Sequence, residues 1–443
     1  MRKMINSFAV HPLLAALLLV ALPVIVFWRS NFFYIIDDWT TLLHMVQYPF
    51  GKYLVTPDGE QWFPFFSLVY YGLVRLAGEH YSRLVLVNCL GTGANAFLVY
   101  LFFRRHLPAG LALTLAAVYA VAAVHHAIAW NAFYVGYLLS LSFFLGALLL
   151  TDAYLQNGGG SLLFGVGLCA LLSLLSHNYP LVGLLALPLY AFLVWGDFGR
   201  KFWALTGTVA VVYLLFAAGY LTFAGLHAAA SHNSRVLAAL PGPGYLVHLL
   251  YGAWLAPFFY LFWGYYHFPV WAYVAGIALL TASLAVIWTW GRSPARRLAL
   301  WALLVNGLPF LLISLTRYQR SVNQAFVARY GIFTLIGALL LLGLAWRGLS
   351  ERLPPRDWRR LLPVGLLALI LAGQFLALPH WTGKYREMTL AAKACYYVLS
   401  QESATARLPQ EDYLKFCPGA YPVITPSQAL AVRRFLERSS PDP

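Results

Sequence analysis

Apolar residues recur along this chain in long unbroken runs, among them Leu13 to Trp28, Leu111 to Val124, Leu138 to Leu150, Leu181 to Val194, Val270 to Trp288 and Gly331 to Leu344. Short polar breaks separate them. With its flanks, each run approaches the roughly 20 residues a helix needs to cross about 30 Å of hydrocarbon. Strands of a membrane barrel would alternate apolar and polar positions, and these runs do not. The pattern predicts an all-α integral membrane protein with eleven spans, near residues 8–29, 82–103, 109–127, 131–152, 161–177, 178–196, 202–224, 269–290, 298–316, 330–347 and 361–378. Two further segments do not fit a simple crossing. Trp62 to Ala77 is interrupted by Pro64 and Arg75 and suits an interfacial helix in the first outer loop, residues 30–81. Tyr245 to Tyr266 is aromatic-rich and broken by Pro257. It is read as a helix or re-entrant segment at the outer face.

Charge sets the orientation. Of 443 residues, 61% are hydrophobic and 10% charged, against about 25% charged in a soluble domain, so a water-soluble fold is excluded. The net charge of +15 lies largely in short loops: Arg104-Arg105, Arg200-Lys201, Arg292 with Arg296-Arg297, and Arg347 through Arg360. That is the positive-inside distribution of a membrane protein, not a nucleic-acid surface. It places the N-terminus in the cytoplasm, with Arg2 and Lys3 before a first span that lacks a small-residue cleavage site and is read as a retained anchor. It divides the chain into a transmembrane domain, residues 1–378, and an extracytoplasmic tail or small module, residues 379–443. A tail on that side would permit a disulfide between Cys395 and Cys417, whereas Cys89 and Cys169 sit inside apolar runs.

The same topology gathers the polar residues that topology does not explain on the outer side. Asp37 and Asp38 follow Phe32-Phe33-Tyr34. Adjacent carboxylates among aromatics can supply a general base or bind a cation; equally, Asp38 could cap the following helix while Asp37 is solvated. Arg317, Arg320 and Arg329-Tyr330 stand near two span ends against the positive-inside tendency. Guanidinium forks suit phosphate, and snorkelling to lipid phosphates is the alternative. His125-His126, His177-Asn178 and Lys52 complete the outer set of substrate-binding candidates, though no histidine has a compact metal-ligand spacing. The 15 Trp and 28 Tyr have a ready cause in the aromatic belt. There is no Walker-type phosphate loop, and Gly91-x-Gly93 lies in a hydrophobic helix, where small residues mean close helix packing.

The order of these features resembles the GT-C membrane glycosyltransferases, which use lipid-linked sugar donors. The residues that carry the resemblance are Asp37-Asp38-Trp39, Trp62-Phe63-Pro64-Phe65, Gly78-Glu79-His80-Tyr81, Leu86-Val87-Asn88, Ala127-Ile128-Ala129-Trp130 with Gly136-Tyr137, Leu174-Leu175-Ser176-His177-Asn178, and Ala328-Arg329-Tyr330, over roughly residues 8 to 345. They are similar to blocks of the tetratricopeptide-type transmembrane O-mannosyltransferases and their bacterial relatives. Relatives commonly carry an Arg before the proline that follows Phe63, an acid at the place of His126 and a Lys-Glu pair at the place of His177-Asn178, and no repeat tail follows here. The broad class is therefore kept and the mannosyl specificity is not.

The resemblance implies a GT-C-like bundle with amphipathic helices in the first outer loop. It also implies transfer of a sugar from a polyprenyl-phosphate donor to a sugar, lipid or protein acceptor at the outer membrane face. Asp37 or Asp38 would activate the acceptor hydroxyl, with Asp37 favoured because Asp38 is better placed to cap. Arg329 with Arg317 or Arg320 and Tyr330 would hold the departing phosphate, and a divalent ion on the two aspartates is allowed but not required. The short loops favour a bacterial inner membrane with the site on the periplasmic side. Two other classes remain at this point: a transporter or flippase of lipid-linked or anionic substrates, and a non-catalytic envelope assembly protein of the same fold. Transporters place ionisable residues near mid-membrane, where this chain has almost none.

Overall fold

A computed structural model describes residues 11–29, 32–35, 37–57, 61–223, 242–261, 270–317, 328–352, 358–400 and 426–439. The first apolar run forms α1 (Pro12–Phe27), opened by Pro12 and by the His11 ring, which accepts from the Leu13 N–H. It packs along α5 (Tyr81–Arg104). Gly93 permits the approach, since a Cβ there would stand 2.5 Å from the Val20 Cα, so the Gly91-x-Gly93 pair does serve close helix packing.

Between these two helices lies the first loop, with α2 (Asp37–Gln47), α3 (Phe50–Val55) and α4 (Pro64–Ala77). In α4 the buried residues Phe66, Tyr70, Val74 and Ala77 fall on one face at three- to four-residue spacing, which makes it the amphipathic helix expected of this loop. The chain continues through α6 (Ala109–Val121), the short α7 (His125–Trp130), α8 (Val135–Asn157), α9 (Gly160–Ser176), α10 (Gly183–Trp195) and α11 (Arg200–Phe223). A helical segment α12 (243–259) precedes α13 (Val270–Trp290), α14 (Ser293–Arg317), α15 (Ala328–Arg352), α16 (Trp358–Leu399) and α17 (Pro426–Glu437).

Among the described residues, six helices are long and apolar enough to cross a membrane, and five shorter apolar helices accompany them. All eleven spans read from the sequence coincide with helices, the last with the first half of α16. The molecule is an all-α membrane bundle. Its two ends differ chemically: α5 starts beside the first loop and finishes at Arg104-Arg105, and α15 runs from Arg329 to Arg352 in the same sense.

The segment α12 stays in one half of this bundle. His248 Nδ1 lies 2.9 Å from Ser314 Oγ, and the Trp254 indole donates to the Leu303 carbonyl at 2.9 Å, no deeper than the middle of α14. A Cβ on Gly331, at the first turn of α15, would meet the Tyr260 ring, so by Tyr260 the chain is back at the Asp37 end. Residues 262–266 of this segment lie outside the described residues.

At 42 residues, α16 is about 63 Å long by its 1.5 Å rise, roughly twice the hydrocarbon thickness. It does not stop at residue 378, the boundary expected between bundle and tail. Its far end reaches the first loop, where the Tyr396 ring lies 5.2 Å from Phe33 and 5.6 Å from Trp39. Phe435 of α17 packs on Tyr71, and Arg75 lies over the Phe435 ring and donates to Ser439 Oγ at 3.1 Å. Cys395 is disulfide-bonded, while Cys89 and Cys169 are free. Cys417 lies outside the described residues.

Candidate active site

The two aspartates occupy the first turn of α2, where the helix dipole favours negative charge. Their environments diverge. Asp38 is fully buried. Its Oδ1 accepts from the Phe133 N–H at 2.8 Å and the Tyr70 hydroxyl at 2.8 Å; its Oδ2 accepts from the Ile35 N–H at 3.1 Å and the Tyr81 hydroxyl at 2.9 Å. The side chain therefore reaches back and across rather than forward onto its own helix. It joins the loop, α4, α5 and the turn between α7 and α8. Tyr81 extends the lock by accepting from the Ala132 N–H, and Asn88 donates to the Ile128 and Asn131 carbonyls, each at 2.8 Å.

Burial pushes the Asp38 carboxyl up to about 6, against the four donors, which favour its charged form. A folded-state value above the ordinary 3.8 means that ionisation costs stability in full above about 6 and that the cost shrinks as pH falls from 6 toward 3.8. One backbone N–H sits on each oxygen. An amide in place of the carboxylate must therefore turn its NH2 toward one N–H that cannot rotate away. Asp38→Asn is expected to lower stability by about 1–3 kcal/mol at pH 7. The wild type should gain on this variant as pH is lowered from 7 to 5, a comparison that thermal unfolding of both proteins measures.

Asp37 is the more accessible of the two. Arg329, at the first turn of α15, and Tyr137, at the start of α8, are its electrostatic neighbours. Arg329 is partly buried and donates from Nη1 to the Tyr134 hydroxyl at 2.8 Å. Its guanidinium stands 5.3 Å from the Tyr330 ring centroid and 5.7 Å from that of Tyr134. Among the described residues no carboxylate lies within ion-pair distance of it, and its buried Nε–H has no acceptor. A desolvated cation with an unmet donor is costly to hold and gains most from an anion.

His177 closes this wall. Its ring lies 3.7 Å from that of Tyr137 and stacks on Phe63 at 5.9 Å. Because Nδ1 accepts from the Tyr179 N–H at 3.0 Å, the proton of the neutral ring belongs on Nε2, as a donor. Tyr179 in turn donates to the Tyr330 carbonyl at 2.9 Å, fixing the turn after α9 to the start of α15. Gly136 lets these parts meet: a Cβ there would lie 2.9 Å from Phe66 and 3.1 Å from the Ser176 carbonyl.

Of the residues singled out from the sequence, Asp37, Asp38, His177, Arg329 and Tyr330 thus stand at one end of the bundle around the start of α15. Asn178 is adjacent in sequence to His177, its Oδ1 buried without a partner among the described residues. Lys52 is elsewhere, its Nζ over the Tyr48 ring at 4.8 Å. His126 faces the other way, stacked on Trp381 of α16 at 5.2 Å. Arg320 and the Arg317 side chain lie outside the described residues. Tyr134 carries no signal of its own in the sequence, and Tyr137 only its place in a family-like block, because an aromatic-belt explanation covers every Tyr in such a chain. A divalent ion held by both aspartates does not fit, since the four lone-pair positions of Asp38 are taken. No group of three metal-ligating side chains occurs among the described residues.

No family model and no curated protein matches the chain. Solved structures do. The apo oligosaccharyltransferase of Archaeoglobus fulgidus superposes with a TM-score of 0.51 at 13% identity over 97% of this chain and 64% of its own, so the chain spans about 64% of that protein's length. ArnT from Cupriavidus metallidurans superposes with a TM-score of 0.49 at 14% identity when bound to undecaprenyl phosphate, and 0.48 at 17% in the apo state; each covers 96% of this chain and 76% of that one.

Proposed function

We propose that this chain, which has the GT-C membrane fold, transfers a sugar from a polyprenyl-phosphate-linked donor to an acceptor hydroxyl at the Asp37 end of the bundle. The observation that carries the reading is Arg329: a partly buried cation with an unmet donor and no carboxylate partner among the described residues, beside an accessible carboxylate. That pairing suits a reaction in which one group takes a proton and the other receives a phosphate.

The carboxylate of Asp37 removes the proton of the acceptor hydroxyl as its oxygen bonds to the anomeric carbon. The bond from that carbon to the phosphate oxygen breaks, and the charge left on the polyprenyl phosphate falls to Arg329 and the Tyr134 hydroxyl. The Nε2–H of His177 is a neutral donor for a sugar or phosphate oxygen on the same wall. Asp38 does not touch substrate; it holds the loop that presents Asp37. By the charge rule this end faces away from the cytoplasm, on the periplasmic side of a bacterial inner membrane, which gives a lipid-anchored donor access between spans.

The test is the fate of the donor. Purified chain in vesicles, given a labelled polyprenyl-phosphate sugar and membrane extract as acceptor, is expected to release polyprenyl phosphate and move the label to a new species. Translocation of intact donor across the bilayer, without cleavage, would establish the transporter reading instead.

A further inference from the structure

The end of the bundle opposite Asp37 holds an arginine-lined cavity that the proposed transfer does not use. It encloses about 270 Å³ between the ends of α5, α10, α13, α14 and α15. Arg329 and Arg347 both belong to α15, 18 residues apart, so the cavity lies about 27 Å from the candidate site, one hydrocarbon thickness away. Arg105, Arg292 and Arg347 line it, with Glu351 as the acid of its wall and Val194, Leu298 and Leu344 as apolar lining.

The carboxylates do not balance these arginines. Asp152 pairs with Arg105 and is otherwise occupied, accepting from the Tyr190 hydroxyl at 2.9 Å, the Trp195 indole at 3.1 Å and the Gln156 amide at 2.8 Å. Glu351 is shared, with Oε1 3.1 Å from Arg347 and Oε2 3.5 Å from Arg292, whose side chain is 77% exposed. Arg347 is steadied by donating from Nη1 to the His106 carbonyl at 2.8 Å. Two guanidiniums thus converge on one carboxylate at the rim of a concave, half-apolar space. Trp195 and Trp290, both more than 40% exposed, lie at the same end, where indoles mark the level of lipid headgroups. Arginines serving topology alone need neither a cavity nor convergence.

We propose that this cavity binds the phosphate-bearing headgroup of an anionic phospholipid, clamped by Arg292 and Arg347 with the glyceryl part against Leu298 and Leu344. A phosphodiester in the clamp replaces Glu351 as the partner of Arg292, the longer of its two contacts. By the charge rule the lipid belongs to the cytoplasmic leaflet. The assignment does not depend on the transfer reaction.

Thermal unfolding of the full purified chain in detergent tests it, with phosphatidylglycerol, phosphatidylcholine or inorganic phosphate added. Phosphatidylglycerol is expected to raise Tm by about 5 °C over phosphatidylcholine. Inorganic phosphate should not reproduce the rise. The double variant R292A/R347A should abolish the difference between the lipids and R292K/R347K should keep part of it, a point charge surviving where the fork is lost. Glu351→Gln removes the competing carboxylate and should widen the difference, which a merely structural ion pair would not do. Equal shifts with both lipids, or a difference that survives in R292A/R347A, would overturn the site. A full response to inorganic phosphate would overturn its lipid assignment. Should the double alanine variant not fold, an unchanged difference in Glu351→Gln refutes the proposal by itself.

Discussion

Replacing Asp37 by Asn is expected to reduce sugar transfer by roughly 10² to 10⁴, the range for loss of a general base, with Tm close to that of the wild type. The amide has the shape and the first-turn position of the carboxylate but no affinity for a proton. Asp37 is well suited to the task by what surrounds it. It stands in the first turn of α2 as an electrostatic neighbour of Arg329, and it is accessible where Asp38 is sealed. The two aspartates should therefore separate experimentally: Asp37→Asn loses rate and keeps stability, Asp38→Asn loses stability first. Donor binding should survive in Asp37→Asn, because the phosphate is held by the other wall. Steady-state transfer and donor titration on the same preparations measure both quantities. Full transfer by a well-folded Asp37→Asn protein would remove Asp37 from the chemistry and return the pair to a purely architectural role.

The sequence already favours Asp37 as the base, but the physical ground of that separation could not be read along the chain. From neighbours in sequence, Asp38 looks like a helix cap; its actual donors include residues 32, 43 and 95 positions away, which only the packed loop brings together. The spans themselves were legible, because a hydrocarbon environment writes its demand as unbroken apolar runs, and all eleven coincide with helices. Arg329 draws notice for a related reason: on the topology read from the charges, it stands where the charge rule would not put it. The histidines were not legible. His126 and His177 present the same sequence argument, an imidazole at a span end, yet one is stacked under the C-terminal helix and the other faces Tyr137. Nor was the reach of α16, since amphipathic sequence beyond a span does not show that the helix continues or what its end will touch. Its contacts with Phe33 and Trp39 add a brace to the same loop that Asp38 fastens from within.

Arg329→Ala is expected to lower kcat/KM for the donor by roughly 10² to 10³, the cost of removing one positioned charge from a developing anion. The loss should be specific. An arginine that balanced a buried carboxylate would leave that acid uncompensated when truncated, at about 3–5 kcal/mol of stability. Arg329 has no such partner among the described residues, and its Nε–H already lacks an acceptor, so truncation should leave Tm nearly unchanged or raise it. Arg329→Lys tests geometry against charge. Lysine restores the positive charge but cannot supply Nη1 to Tyr134 and a second parallel donor to phosphate, so it should recover only part of the activity. Tyr134→Phe removes the acceptor of the Arg329 Nη1–H and a neutral donor to the phosphate, hydrogen bonds to charged groups of about 1.5–2 kcal/mol, and should cost between about tenfold and thirtyfold. The ordering Arg329→Ala, Arg329→Lys, Tyr134→Phe in falling severity is what a phosphate held at this corner requires. Were Arg329 only a lipid-snorkelling side chain, all three variants would transfer sugar at the wild-type rate once reconstituted in vesicles, and donor affinity would not follow the guanidinium at all.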